Sequence, residues 1–470
     1  MKRLFIASFA LLSSLGIVTP LWAANPKHLQ QLRSTNLCAK CDLRGADLQG
    51  VDLRGANLQK AKLDGANLSQ AKLTNADLAQ ASLEGTNLDG ADLSRANFFR
   101  AKLSESTLTG AILAMASLRE ADLSAVREYS KPKDKDEPRE LISEVLVDLS
   151  GAELTGADLS KANLDGVILN NANLRNANLN NTRLQSAKLD RANLLGAIFN
   201  FANLSGASFI EANLRNAVFA AATLDGAKLT KARMRHANLT GALLRRADLR
   251  QAYLDTAALD SANLDGADLR NAYLGGANLR ASSLRNADLR NAILAAANLT
   301  RADLSGADLR GINLHDVSLN RARLIGTNLQ GANLTGVKLG LGNLSNADLR
   351  GAVLPNAYLH TANLSGANLA GANLFEANLQ FANLQAATLT GTNLAKATLI
   401  EANLQQANVL GGNLSGADLS LANLQRAYLG NANLSGANLF RANFSNAFTT
   451  DMVLTGANLK QVIGLNRYGY

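Results

Sequence analysis

A large apolar residue recurs at every fifth position from Leu43 to Leu123, and again from Leu149 to Leu459 in a frame shifted by one. Leu holds nearly all of these centres, the exceptions being Phe98, Phe199, Phe209, Phe219, Met234, Val409, Phe444 and Thr449. Two residues before each centre stands Ala or another small residue, and Asp or Asn usually stands between them. The chain therefore repeats the word A-(D/N)-L-x-x. A helix has no use for this spacing, because five steps of about 100° carry each Leu roughly 140° around the axis and no apolar face forms. An extended segment does, since residues two apart point the same way: Ala and Leu face inward and the Asp or Asn faces out. The next Ala comes three residues after Leu, so the chain turns a corner over the two intervening positions. Gly is frequent at the second of them, as in "LRGADL" and "LSGADL", which suits a corner.

A longer return lies over the short one. "ADLRQAYL" at 247–254 is followed by "ADLRNAYL" at 267–274, "ADLRNAIL" at 287–294, "ADLRGINL" at 307–314 and "ADLRGAVL" at 347–354. Four corners of about 90° close a square, and four five-residue sides make one coil of twenty. The pattern predicts an all-β chain, a parallel β-helix with coils paired at about 4.8 Å. It places Arg250, Arg270, Arg290, Arg310 and Arg350 in one outward column, stacks Tyr253 on Tyr273 in the next, and stacks Phe199 on Phe219 inside. The eighty words make about twenty coils, a rod of roughly 95 Å if the two arrays are coaxial. Proline usage agrees: of five, only Pro355 falls within an array, at a corner, and a Pro elsewhere in a ladder deletes a donor.

The repeated word resembles the pentapeptide-repeat family, and the leader with a Cys-x-x-Cys start resembles its secreted members, abundant in cyanobacteria. That resemblance implies a right-handed quadrilateral parallel β-helix. Members of the family differ too widely in role for the fold to settle function.

The remaining segments punctuate the arrays. Residues 1–24 read as an export signal: Lys2 and Arg3, an apolar run from Leu4 to Ile17, Pro20, then Ala23 and Ala24 at the cut. The cleavage site is imperfect, with Leu21 or Trp22 where a small residue is preferred, and an uncleaved membrane anchor is the alternative. Removing Lys2 and Arg3 lowers the formal charge from +9 to +7, a mild surplus for this length. Residues 25–40 read as a cap, a short helix with Asn25 as N-cap, Pro26 at its first position, and Leu29 and Leu32 on one face. The first array follows over 41–124. A charged insertion, 125–146, reads as one long solvated loop, or as a loop that binds a partner. The second array covers 147–460, and 461–470 is a C-terminal cap or tail.

Candidate chemistry is sparse. Cys38 and Cys41 form either a disulfide pinning the cap to the first coil, as an oxidising compartment allows, or a pair of buried thiols. A zinc site needs four ligands, and only His28 lies near. His28, His236, His315 and His360 are scattered, and His315 and His360 fall on different faces. Asp and Asn interchange freely before Leu, which suits hydrogen bonding to neighbouring coils, since a general base cannot become an amide and keep working. No catalytic, cofactor or metal residues are read, and an enzyme is not expected. The reading is a rigid extracytoplasmic scaffold, in the periplasm, the thylakoid lumen or outside the cell, with a protein or an anionic surface polymer as partner. No nucleic acid is expected, and no membrane span once the signal is cleaved. The alternative is binding of anionic polymer or lipid headgroups along the Arg column. A DNA-mimic inhibitor of DNA-handling enzymes, a role known in the family, is disfavoured by the positive charge and the leader.

Overall fold

The computed structural model describes residues 24–129 and 141–465. The leader, the charged centre of the insertion and the last five residues lie outside them. The chain divides into two compact units after Glu153, and the same five-residue word builds both. Its inward positions form the core: every central residue from Leu154 to Phe444 is at most 2% exposed. The core is narrow enough for opposite faces to touch. Phe199 stacks on Phe219 at 4.7 Å, and Phe209, from the opposite face, meets both rings edge-on at 6.3 and 6.4 Å. Tyr253 stacks on Tyr273 at 4.8 Å outside, the coil spacing expected of paired strands.

The word closes its own backbone account. In Ala247–Gln251, the Ala247 N–H donates to the Leu244 carbonyl at 3.1 Å, across the corner. Asp248 donates back to Ala227 at 2.9 Å, while Leu249 and Gln251 donate forward to Asp268 and Arg270 at 2.8 and 3.1 Å. The fifth N–H, of Arg250, goes to the Asp248 carboxylate at 3.2 Å. Coil-to-coil pairing runs in steps of twenty residues, as in Asp248 with Asp268. The second corner residue has a positive φ (57° at Gln251, 58° at Asn271, 69° at Gly306), which with the bond across the corner makes a type II turn. Asn and Gly are common there because they tolerate that region. Pro355 occupies the first corner position, where its fixed φ fits. It has no N–H to place, and the acceptor position before it holds Val353.

The Asp or Asn before Leu therefore differs from its expected use. Its oxygen accepts a corner N–H of its own strand, as Asn333 does from Thr335 at 3.1 Å, and the Asn amide then links coils, as Asn333 does to Asn313 at 3.1 Å. Where another residue stands before Leu, the corner of the preceding coil can supply the oxygen: Asn170 accepts the Asp190 N–H at 3.0 Å, and Asp190 accepts that of Ile210 at 3.0 Å.

The first unit shows three departures from the sequence reading. The cap is a helix, α1 (Pro26–Thr35), with the Asn25 side chain accepting from the Lys27 N–H at 3.0 Å, but the ladder begins earlier than position 41. Leu37 already pairs with Asn57, and Cys38 takes a Leu position. Cys38 and Cys41 are joined as a disulfide, Cα atoms 5.2 Å apart. The bond spans one corner of the first coil and does not tie the helix to it. Hydrogen bonds make the tie instead, among them that of His28, whose Nδ1 accepts the Asp42 N–H at 3.0 Å, a donor with no preceding coil to receive it. Third, the ends of the insertion are not loop. They pair antiparallel as β1 (Val126–Tyr129) and β2 (Leu141–Val145), with Arg127 on Glu144 at 2.6 Å. Thr107 pairs with Asp148 and Ile112 with Glu153, a step of 41 in place of 20, so 21 residues stand outside the coil. In the second unit the ladder runs to Ile463, and Leu459, at an inward position, is 40% exposed in the last coil.

Leu269→Ala removes a fully buried side chain and is expected to cost about 2–5 kcal/mol. Asn368→Asp keeps the oxygen that accepts the Ala370 N–H and is expected to stay within about 0.5 kcal/mol of the parent. Urea denaturation of the full chain measures both, and equal shifts in midpoint contradict the inward and outward assignment.

Candidate functional site

The Arg column stands where the twenty-residue return places it, and its guanidinium groups are occupied. Because Asp248 already holds the Arg250 N–H, the Arg250 side chain folds back over it: Nε lies 2.8 Å from Oδ1 and a terminal nitrogen 2.6 Å from Oδ2. The same clamp recurs at Arg270–Asp268, Arg290–Asp288 and Arg350–Asp348 at 2.6 Å, and at Arg310–Asp308 at 2.7 Å. Three of them also face the next rung, Arg250 to Asp268 at 3.7 Å, Arg270 to Asp288 and Arg290 to Asp308 at 3.6 Å. Gln330 interrupts the series, so Arg350 with Asp348 stands apart. The column is a zipper of paired charges and not an open anion site. Solvent screens exposed pairs of this kind, so they add little stability; their effect is to cancel the field.

The pairing shows in the carboxylates. The hydrogen bond from its own Arg holds each of Asp248, Asp308 and Asp348 below the ordinary carboxylate range. At Asp288 burial pushes upward, and the Arg290 hydrogen bonds outweigh it. In the first unit the same D-L-R arrangement lowers Asp42 and Asp52 to about 2 through Arg44 and Arg54.

A second charge column escaped the sequence reading. Asp225, Arg245, Asp265 and Arg285 alternate at first corner positions, twenty apart. Each Asp accepts the backbone N–H of the Arg one coil on, at 2.9 and 3.0 Å, and pairs with its guanidinium. A shallow concavity lies along this column, lined by both Asp residues, Gly226, Arg245 and Arg246. The signal was present as an alternation at steps of twenty, at a position whose role as acceptor is apparent only once coils are stacked.

The histidines do not converge. His236 bonds the Thr256 hydroxyl at 2.6 Å, His315 reaches Asp316 at 3.1 Å, and His360 stacks beside Tyr358 at 5.7 Å. Among the described residues no group of three His, Cys, Asp or Glu could hold a metal ion, and no helix is long and apolar enough to cross a membrane.

Against known proteins, the family model described as pentapeptide repeats matches in fourteen stretches, from 38–75 to 101–127 in the first array and from 146–171 to 417–461 in the second. No curated protein matches. Among solved structures, HetL, a pentapeptide repeat protein involved in heterocyst differentiation regulation from the cyanobacterium Nostoc sp. strain PCC 7120, is 35% identical. The match covers 44% of this chain and 91% of HetL with a TM-score of 0.27. A pentapeptide repeat protein of the Arabidopsis thaliana thylakoid lumen is 27% identical over 26% of this chain and 67% of its own, with a TM-score of 0.11. QnrB1, a plasmid-mediated fluoroquinolone resistance protein, is 24% identical over 45% and 90%, with a TM-score of 0.24.

Depressed carboxylate pKa values stabilise the fold above the unfolded value of about 3.9, and that stability is lost as pH falls through the folded values. The melting temperature is expected to hold from pH 7 to about 5 and to fall below about 4. The triple variant Asp248→Asn, Asp308→Asn, Asp348→Asn should show a shallower acid decline; an identical decline would mean these pairs do not contribute.

The five-residue word, its coil of twenty and the family match along both arrays together establish that this chain belongs to the pentapeptide repeat family.

Proposed function

We propose that the protein is a non-enzymatic, exported scaffold that holds other macromolecules along its flat faces. The observation that carries this reading is the ladder itself. The outward carboxylates and amides accept corner N–H groups or pair with the Arg columns, which leaves the surface as a rigid set of columns whose rungs repeat about every 4.8 Å. Carboxylates used in this way are poor general bases. Export is supported by the leader sequence and by the disulfide in the first coil, since such bonds persist in oxidising compartments. The DNA-mimic role is disfavoured by the formal charge of +9. The Arg column as a site for anionic polymer or lipid headgroups is disfavoured by its pairing with Asp.

Expression with the intact leader tests export: mass spectrometry of the non-cytosolic fraction should find a mature chain beginning after Ala23 or Ala24. A full-length chain in the cytosol contradicts it, and one starting at Met1 in a membrane pellet indicates an anchor. Replacing Arg250, Arg270, Arg290 and Arg310 by Gln should leave heparin retention near 0.15 M salt unchanged. Tight retention by the parent that disappears in this variant reinstates the Arg column as the binding surface.

A further inference from the structure

A face of the second unit other than that of the Arg column carries cations with no carboxylate among its own words. This face is built by every fourth word from Ala277–Ala281 to Ala377–Phe381, six words that contain no Asp or Glu. It carries Arg280, Arg301, Arg321 and Lys338, all exposed and, among the described residues, without an ion pair. Arg301 and Arg321 hold the same corner position in successive coils, so their backbones are about 4.8 Å apart. The carboxylate nearest Arg301 along the chain, Asp303, is taken by Arg323 at 3.6 Å, and the one nearest Arg321, Asp316, lies against His315 at 3.1 Å.

At the end of this cationic strip the ladder of side chains misses a rung. Gly340 stands at a first corner position, between Asn320 one coil before and His360 one coil after. A concavity of about 420 Å³ opens over it, walled by Asn320, Arg321, Leu341, Tyr358, His360 and Thr361. The Tyr358 ring leans onto the bare backbone, where a Cβ on Gly340 would meet its Cε1 at 2.8 Å. Tyr358 and His360 are nearly parallel, 4° apart, and Phe381 meets His360 edge-on at 5.4 Å. Leu341 is 56% exposed beside them.

The backbone adds a donor. Lys338 cannot accept the Gly340 N–H, so Asn320 does, at 3.1 Å. One coil on, Tyr358 cannot accept the His360 N–H, and Gly340 has no side chain to take it. The notch thus combines an aromatic wall, a free guanidinium and an N–H lacking a side-chain acceptor where other coils supply a carboxylate or amide oxygen.

We infer that this face binds an acidic polysaccharide, with one sugar ring seated in the notch over Gly340 and carboxylates of the chain paired to Arg321, Arg301 and Lys338. A pyranose ring has apolar C–H faces that lie against Tyr358 and His360, and a ring oxygen or hydroxyl can accept the His360 N–H. Carboxylates borne one to a sugar ring match cations spaced one to a coil. A single-stranded nucleic acid is the poorer fit, because it calls for successive stacking platforms along a basic groove, and here the aromatic residues gather at one end. This site does not depend on the scaffold reading, since an isolated chain without protein partners can display it.

The test is calorimetric titration of the full chain with polygalacturonate oligomers near 0.15 M salt. Gly340→Asn fills the missing rung with the side chain already present at Asn320, supplies an acceptor for His360 and leaves the charge unchanged. It is expected to fold normally by circular dichroism and to weaken binding at least tenfold. Arg301→Gln with Arg321→Gln is expected to do the same, and Tyr358→Ala provides an independent check of the wall. Arg250→Gln with Arg290→Gln, in the paired column, should bind as the parent does. Parent-like affinity in folded Gly340→Asn or Arg301→Gln/Arg321→Gln overturns the inference. So does equal affinity for neutral dextran, or tighter binding of a single-stranded oligonucleotide than of the uronate chain.

Discussion

The structure depends on finding an acceptor for every N–H of a five-residue word. Three of the five reach across to neighbouring coils, one closes the corner, and the last needs an oxygen that the backbone does not supply. Leaving such a group buried and unpaired costs about 1–3 kcal/mol, and the debt would recur with every word. An Asp or Asn before Leu meets it locally. This explains why the two interchange: they share the oxygen that accepts, whatever their charge.

That requirement also organises the surface. A carboxylate fixed by its own backbone cannot move away from a neighbouring Arg, so each D-L-R word makes a clamp, and stacking turns clamps into a zipper. Where the position before Leu holds neither Asp nor Asn, the acceptor can move to the preceding coil's corner, and an Asp there pairs with the Arg above it. Charge on these faces is thereby spent inside the ladder. In a solenoid each coil contacts only its neighbours, so a fully compensated face extends with little long-range field. Departures from the rule stand out against this background. The acid-free face from Ala277 to Phe381 and the bare rung at Gly340 are such departures, and they coincide.

The first coil has a different problem, because its backward-facing donors have no predecessor. Helix α1 answers it with a side chain, His28, that mimics the missing carbonyl for Asp42, while the Asn25 N–H caps the Asp42 carbonyl at 3.2 Å. The final coil, with Leu459 partly exposed, shows what an inward position becomes without another coil stacked on it.

Much of this was legible in the sequence. The five-residue period excludes a helix, the twenty-residue return sets the coil, and the Arg, Tyr and Phe columns follow by counting, because a rigid repeat converts sequence distance directly into spatial position. The side of the word that each residue faces was legible for the same reason. What required the tertiary structure was every choice among partners that the count leaves equivalent. Position alone does not reveal that the Asp248 oxygen turns to its own corner, that Cys38 belongs to the first coil and not to the cap, or that β1 and β2 pair across the insertion. Nor does it distinguish the Arg residues held by carboxylates from Arg301 and Arg321, which are not. Those outcomes depend on side-chain reach of a few ångströms between coils, and a periodic sequence fixes which residues are neighbours without fixing which neighbour a flexible side chain takes.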